Sequence, residues 1–253
     1  MIVGLCSTYK EGLLAADAVR SLLACCQSVF VLDGPIGEAR EGGRDTDWRA
    51  LQKRGRVVVK HGSWGSDAEK RTAMLRLTRR YVGPVWGVIV DGDEQLMYGE
   101  GIPALIEHHE AEAETRGETS AGATLRIVEG DGTVGLVLAR VLRLDLIDRW
   151  LISSYHMLLT NGVEVSRPNA YILKPGEPDQ QGADLSTGMQ LRRPLIGEPH
   201  LLHRSWFRAP QRDAVRQSVA EGSDMDRMVR EAGLLEVHGE RARDDRPAIW
   251  LPQ

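Results

Sequence analysis

The sequence lacks a long apolar segment. None of its apolar runs approaches the ~20 residues that a membrane-spanning helix needs. The apolar start of the chain is soon interrupted by Lys10 and Glu11, which is not the pattern of a signal peptide. We therefore expect no membrane span, and any work at a membrane to be peripheral.

The chain is also poor in net charge and in cysteine. Its formal net charge of −4 gives no general attraction to nucleic acid. The three cysteines, Cys6, Cys25 and Cys26, are an odd number without the spacing of a metal site, which predicts reduced thiols. Because disulfides are rare in the cytosol, this usage favours a cytoplasmic protein.

Strand-forming apolar segments alternate with segments of helical periodicity. Strands are predicted within "MIVGLC", "SVFVLDGP", "VVVKHG" and "VWGVIVDGDE". One helix is predicted after the first strand, and another over residues 66–81, capped by Ser66 or Asp67. Because strands that read as continuous apolar runs are covered on both faces, the fold class is α/β, a mainly parallel sheet flanked by helices. In such sheets ligands bind beyond the carboxyl ends of the strands.

Two aspartates directly follow the fourth predicted strand. Asp91 and Asp93 lie two positions apart, so both side chains can point to one place beyond the strand end. Carboxylate oxygens suit Mg²⁺ or Mn²⁺, which often take one or two carboxylates and complete their shell with waters and substrate phosphates. The plain alternative is a surface turn with solvated acids.

Polar motifs accompany these strands in a fixed order. They are Ser7, Thr8, Tyr9, Lys10 and Glu11 after the first strand, Asp33 and Gly34 after the second, Lys70, Arg71 and Thr72 in the helix after the third, and Asp91, Gly92 and Asp93 after the fourth. Over roughly the first hundred residues, their order and spacing resemble those of GT-A fold (Rossmann-like) glycosyltransferases of the family 2 type.

The second half matches the family more loosely. "WLISSYHMLL" resembles an aromatic and His-Glu segment, although His156 is followed by Met157 where Glu is usual. "HLLHRSWFRAPQR" resembles the closing His motif, in which a histidine can complete the metal shell. His203 is the candidate for that ligand, and His200 is its competitor.

The resemblance implies a metal-dependent glycosyltransferase of the hexosyltransferase type, with Mn²⁺ or Mg²⁺ as cofactor. It would move a sugar from a nucleoside diphosphate sugar, with UDP as the first choice of nucleotide, to an acceptor hydroxyl. The implied metal ligands are Asp91, Asp93 and His203. The implied nucleotide-sugar-binding residues are Thr8, Tyr9, Glu11, Asp33, Lys70, Arg71, Asp91, Gly92, Arg204 and Trp206. The implied catalytic residues are Asp93, Asp148 and His156.

Several alternatives stay open at this point. Lys70 and Arg71 could be solvated helix residues paired with Glu69 or Asp67. The family resemblance favours inversion, which needs a carboxylate base near the acceptor hydroxyl. Besides Asp148, the conceivable bases are Asp145, Glu164 and Asp184. The acceptor could be a protein, modified nucleic acid, a glycan or a small molecule, and the oligomeric state is open.

Two other function classes compete with the glycosyltransferase. A sugar-nucleotide nucleotidyltransferase also combines an α/β sheet with an acidic metal site, but its Gly-rich basic loop is missing after the first strand, where "CSTYKEG" stands. A non-catalytic nucleotide-sugar-binding module would make "DGDE" only a solvated turn.

The predicted domain organisation is one GT-A domain with a tail. The domain would span 1–210, with a nucleotide-sugar half over 1–98 and an acceptor half over 99–210. Residues 211–253 would form a small helical C-terminal extension.

Overall fold

The computed structural model describes part of the chain. The described residues are 1–39, 43–53, 55–117, 119–129, 134–151, 156–160, 162, 164–166 and 197–204. The predicted helical tail over 211–253 lies outside the described residues, and so does Trp206 of the predicted domain. The side chains of His156 and Glu164 are not described either.

Eight strands form the main sheet, in the order β3-β2-β1-β4-β7-β6-β11-β5. The first four are β1 (Ile2–Thr8), β2 (Ser28–Asp33), β3 (Val57–His61) and β4 (Trp86–Asp91). The others are β5 (Glu94–Met97), β6 (Gly122–Glu129), β7 (Val134–Arg143) and β11 (His200–His203). Four of the seven pairings are parallel, which confirms the predicted mainly parallel sheet.

Helices cover both faces of this sheet. They are α1 (Leu13–Leu22), α2 (Arg49–Gln52), α3 (Asp67–Thr78) and α4 (Ile102–Thr115). A small second sheet contains β8 (Ile147–Trp150), β9 (His156–Leu159) and β10 (Glu164–Ser166). None of the described helices is long and apolar enough to cross a membrane.

The apolar runs in the central strands bury side chains on both faces. Val88 belongs to a core with α1 and α4, whereas its neighbour Ile89 belongs to a second core with α3 and the small sheet. Thr72 of α3 contacts the small second sheet. Its Oγ1 accepts a hydrogen bond from the Trp150 amide at 3.0 Å, which ties α3 to β8.

Helix α3 begins where the sequence predicts. Ser66 is the N-cap, and its Oγ accepts a hydrogen bond from the Glu69 amide at 3.1 Å. The helix has two acidic residues in its first turn, Asp67 and Glu69, which suit the positive end of the helix dipole. This cap fixes the end of α3 that faces the carboxyl ends of the strands.

The carboxyl ends of β1, β2 and β4 meet at one edge, which we call the rim. Thr8 pairs with Asp33, and Ser7 pairs with Asp91, so these four residues lie side by side. Strand β1 lies between β2 and β4. After β1 the chain adds β2 and β3 on one side of it, and then crosses over to add β4 on the other side. This change of direction is where open α/β sheets bind ligands.

Candidate functional site

Asp91 ends β4 at the centre of the rim. Its Oδ1 accepts a hydrogen bond from Arg71 Nη2 at 3.0 Å, and its Oδ2 accepts one from Arg140 Nη2 at 3.1 Å. Both arginine side chains are buried. Asp91 is therefore held by two guanidinium groups, one from α3 and one from β7, and is not a solvated turn residue.

Glu94 fixes the turn that follows Asp91. Its Oε2 accepts the Asp91 amide at 2.8 Å, and its Oε1 accepts Arg140 Nη2 at 2.5 Å. The side chain is buried, and burial raises the pKa of Glu94 above its usual value, against the opposing effect of Arg140. Neither Glu94 nor Arg140 was predicted to be a site residue.

Arg140 reaches the rim because of an irregularity in β7. The register with β6 runs from Ala123 opposite Val141 to Thr124 opposite Ala139, so Arg140 is an extra residue. Such a β-bulge redirects the side chain that it carries, and bulges are common next to active sites. The available signal was an arginine inside the apolar run "LVLARVL".

Asp93 and His203 meet beside Asp91. The Asp93 side chain is buried, and its Oδ2 lies 2.8 Å from His203 Nε2. The Arg204 amide donates to the Asp93 carbonyl at 2.9 Å, so the end of β11 is joined to this turn. His200 instead places Nδ1 2.9 Å from the Glu198 carbonyl. Of the two histidines predicted as candidates, His203 is the one that contacts the aspartate pair.

Lys70 is a buried cross-link between two strand ends. Its Nζ donates to the Thr8 carbonyl at 2.9 Å and to the Gly34 carbonyl at 2.7 Å, and it lies 5.1 Å from the centre of the Trp64 ring. Burial lowers the pKa of Lys70 to about 8. Lys70 and Arg71 are both buried, so the expectation that they are solvated is wrong. The pairing expected for Arg71 is present, because its Nε donates to Asp67 Oδ2 at 2.9 Å.

Replacing Lys70 with methionine should change the pH dependence of stability. The folded pKa of Lys70 is lowered to about 8 from 10.5, so between these values the unfolded chain binds more protons. The Lys70 contribution to stability therefore rises with pH through this window, by up to about 1.4 kcal/mol per pH unit. Urea unfolding from pH 7 to 10 measures this contribution as the difference in free energy of unfolding between wild type and Lys70→Met. Parallel pH curves for the two proteins would contradict the assignment.

Gly92 lies against the loop that follows β1. Thr8 Oγ1 donates to Glu11 Oε2 at 2.6 Å, and the Gly92 amide donates to the Ser7 carbonyl at 2.9 Å. A Cβ on residue 92 would lie 1.8 Å from Glu11 Oε2 and 2.5 Å from Thr8 Oγ1. Only glycine fits without displacing these side chains.

The variant Gly92→Ala should destabilise the protein by about 1–3 kcal/mol, the typical cost of overpacking a filled site. The added methyl group must push Glu11 and Thr8 away from the Asp-Gly-Asp turn. Urea unfolding measures the loss. The matched control is Gly65→Ala, because its Cβ would meet only the tip of the Glu69 side chain, at 3.1 Å. An equal effect of the two substitutions would refute the close approach.

Asp33 is oriented at the end of β2 by two ring nitrogens. Trp48 Nε1 donates to Asp33 Oδ2 at 2.7 Å, and His61 Nδ1 lies 3.5 Å from the same oxygen. Trp48 was not predicted to belong to the site. Tyr9 is only partly buried, and the Lys10 ammonium lies 5.5 Å from the centre of its ring.

Other predicted site residues lie elsewhere. Arg204 donates to Asp17 Oδ2 at 3.2 Å and to the Leu14 carbonyl at 3.1 Å, which holds its guanidinium against α1. Asp148 is exposed, and its carbonyl accepts from Arg79 Nη2 at 3.1 Å. Arg79 follows Arg71 by eight residues along α3, or about 12 Å. Asp148 therefore lies towards the opposite end of α3 from Asp91, which argues against a catalytic role.

Comparisons with known proteins give distant structural similarity only. No protein-family model matches the chain, and no curated protein matches it. A crystal structure of S. aureus TarS 1–349 is 16% identical; the alignment covers 52% of this chain and 37% of TarS 1–349, with a TM-score of 0.33. TarS 1–349 in complex with UDP-GlcNAc is 15% identical to this chain. That alignment covers 52% of this chain and 36% of TarS 1–349, with a TM-score of 0.33.

A second protein, 4-diphosphocytidyl-2C-methyl-D-erythritol synthase, is 15% identical. The alignment covers 58% of this chain and 76% of that one, with a TM-score of 0.34. The alignments to TarS 1–349 span little more than a third of that protein's length. Similarity at this level assigns neither an activity nor a ligand to this chain.

Proposed function

We propose that this protein is a metal-dependent glycosyltransferase that moves a sugar from a nucleoside diphosphate sugar to an acceptor hydroxyl. UDP is the proposed nucleotide, and the cytoplasm is the proposed location. The observation that carries the proposal is the contact between Asp93 Oδ2 and His203 Nε2, 2.8 Å apart, at the rim where β1, β2 and β4 end. A carboxylate and an imidazole brought together there are suited to a divalent ion and a charged donor.

The donor set fits Mn²⁺ or Mg²⁺ held by few protein ligands. Of the three predicted ligands, Asp93 and His203 would hold the ion. Both carboxylate oxygens of Asp91, the third predicted ligand, accept hydrogen bonds from Arg71 and Arg140, so Asp91 would support the other two. Among the described residues, no group of three His, Cys, Asp or Glu side chains could hold an ion alone. Such ions usually complete their shell with water and substrate phosphates. The bound ion would supply Lewis-acid stabilisation of the leaving diphosphate.

The remaining rim residues would bind and orient the nucleotide. Asp33, held by Trp48, would accept hydrogen bonds from the base or ribose, and Tyr9 would pack against the base. Lys70 would act as a positioning residue, because both of its hydrogen bonds join the backbone ends of β1 and β2. Arg71 would add positive charge next to the diphosphate.

We propose an inverting reaction, although Asp145 and Asp148 are poorly placed to be its base. Asp145 accepts two hydrogen bonds from Arg143, at 2.9 and 2.8 Å, and one from the Val85 amide at 3.0 Å. Arg143 and Val85 thereby lower the pKa of Asp145 despite the opposing effect of burial. The other two conceivable bases are Glu164 and Asp184, whose side chains lie outside the described residues. Substitution of each of these two residues would test whether it is the base.

Product analysis distinguishes the three function classes. The protein is incubated with Mn²⁺ and a panel of nucleoside diphosphate sugars, and free nucleoside diphosphate is measured by mass spectrometry. Release of UDP from a UDP-sugar by wild type but not by Asp93→Asn supports the proposal. In a separate incubation the protein is given a nucleoside triphosphate and a sugar phosphate. Release of pyrophosphate in that incubation would instead indicate a nucleotidyltransferase. Nucleotide binding with neither reaction would indicate a binding module.

A further inference from the structure

Two adjacent thiols lie beyond the end of α1. Cys25 and Cys26 place their sulfur atoms 3.6 Å apart. Cys26 is buried, whereas Cys25 is partly exposed, so the pair can be reached from the Cys25 side. Helix α1 begins beside the rim and is about 15 Å long, which places the pair away from the candidate site.

The backbone around this pair is fixed before any ligand arrives. The amides of Cys25 and Cys26 both donate to the Leu22 carbonyl, at 3.3 and 2.9 Å. The Arg56 guanidinium donates to the Leu23 carbonyl at 3.1 Å and to the Cys26 carbonyl. A ligand that bridged the two sulfurs would therefore lose little affinity to ordering of the chain.

We propose that Cys25 and Cys26 form a chelating dithiol site for trivalent arsenicals and similar thiophilic metalloids. The separation of the sulfur atoms is the main argument. A pyramidal trivalent arsenic atom, with bonds to two thiolates of about 2.3 Å like those of other soft thiolate-bound centres and an S–As–S angle of about 95–100°, holds the sulfurs about 3.4–3.5 Å apart. The observed 3.6 Å is close to that distance and far from the ~2.05 Å of a disulfide.

A disulfide fits this pair less well than a chelate does. Neighbouring Cα atoms are about 3.8 Å apart, below the usual 4.4–6.8 Å of disulfide-bonded cysteines. A bond between the two sulfurs would also require them to approach by about 1.5 Å from their present separation. An arsenic atom that bridges the two sulfurs requires neither a larger Cα separation nor direct contact between the sulfur atoms.

The number of protein ligands favours a metalloid over a metal ion. Structural zinc sites use four protein ligands, and no group of three His, Cys, Asp or Glu side chains able to hold an ion occurs in the part of the chain that the structure describes. A monosubstituted trivalent arsenical needs only two thiols, because its third bond is to its own organic group. Phenylarsine oxide and two thiols give a cyclic dithioarsenite and water. Two As–S bonds form, the oxygen leaves with both thiol protons, and no electrons are transferred.

The thiols differ in their readiness to react. The hydrogen bond from Cys26 lowers the pKa of Cys25, against the opposing effect of burial. The same contact and burial raise the pKa of Cys26. We therefore expect Cys25, the more exposed thiol, to attack first and Cys26 to close the ring.

Intact mass spectrometry with phenylarsine oxide tests the site. Reduced wild-type protein should form a 1:1 adduct that survives excess glutathione and is removed by a small dithiol. Cys25→Ser and Cys26→Ala should each bind at least about 100-fold more weakly, because the second bond is then no longer intramolecular. Cys6→Ala is the matched control and should keep the adduct, since Cys6 is a single buried thiol on β1.

Thermal unfolding establishes that each variant is folded before it is compared. An adduct that glutathione removes from wild type would overturn the proposal. So would a folded Cys26→Ala protein that binds phenylarsine oxide as tightly as wild type. The test uses no nucleotide or sugar, so its outcome is independent of the proposed glycosyltransferase activity.

Discussion

Replacing Asp93 with asparagine should lower metal-dependent release of UDP from a UDP-sugar by about 10²- to 10³-fold. This is the usual loss when one preorganised charge that stabilises a transition state is removed. Asparagine keeps the size of the side chain but loses the negative charge that faces His203 at 2.8 Å. Values of kcat/KM at saturating Mn²⁺ for wild type and Asp93→Asn measure the effect.

The matched control for Asp93→Asn is Glu114→Gln, which removes a carboxylate from the exposed end of α4. It should leave kcat/KM unchanged, because Glu114 is exposed to solvent. Equal rates for Asp93→Asn and Glu114→Gln would refute the assignment of Asp93 to the metal and diphosphate site.

The variant Arg140→Met should destabilise the folded state by about 3–5 kcal/mol. Removing one partner of a buried ion pair leaves the other charge uncompensated. Here the Arg140 guanidinium contacts both Asp91 Oδ2 and Glu94 Oε1, and Glu94 is buried. Urea unfolding at neutral pH measures the loss. Arg149→Met, at an exposed position on β8, should change stability by no more than about 0.5 kcal/mol.

The pH dependence of Arg140→Met provides a second measurement of the same pair. Burial already raises the pKa of Glu94, and removal of Arg140 should raise it further. A carboxylate whose folded pKa is raised destabilises the protein above that pKa, so the defect should diminish as the pH falls and Glu94 is protonated. The double variant Arg140→Met with Glu94→Gln should recover part of the stability at neutral pH. No recovery in acid or in the double variant would contradict the buried pair.

The strands and the rim could be predicted from local pattern. Strands β1, β2 and β4 are buried on both faces, so each reads as a short apolar run that ends in polar residues. Once the strands are parallel, the positions of Thr8, Asp33 and Asp91 follow from the register. This part of the site depends on residues close to one another in sequence.

The burial of Lys70 could not be predicted from helical periodicity. An apolar stripe on α3 identifies residues that face an apolar core, but the first turns of α3 face the polar rim. Lys70 and Arg71 are therefore buried among carbonyl and carboxylate oxygens, which accept hydrogen bonds from Lys70 Nζ and from Arg71 Nε and Nη2. A pattern based on hydrophobicity assigns such residues to solvent.

The contributions of distant segments could not be predicted either. Arg140 depends on a β-bulge in β7, and Trp48 depends on how the segment after β2 returns to Asp33. His203 was proposed as a metal ligand, and its approach to Asp93 depends on the insertion of β11 between β5 and β6. Each of these contacts is set by tertiary structure, and the sequence around each residue does not show which partner it meets.

Thermal unfolding with UDP and Mn²⁺ is the most direct test of the central claim, that Asp93 and His203 form a metal-dependent nucleotide site. Wild type and Asp93→Ala are each measured alone, with either ligand, and with both. A ligand that binds only the folded state stabilises it by about 2.7 kcal/mol at 100 times its Kd. We predict a raised melting temperature in wild type only when UDP and Mn²⁺ are both present, and none in Asp93→Ala. The same shift in both proteins, or no shift with UDP in the presence of Mn²⁺, would contradict the claim.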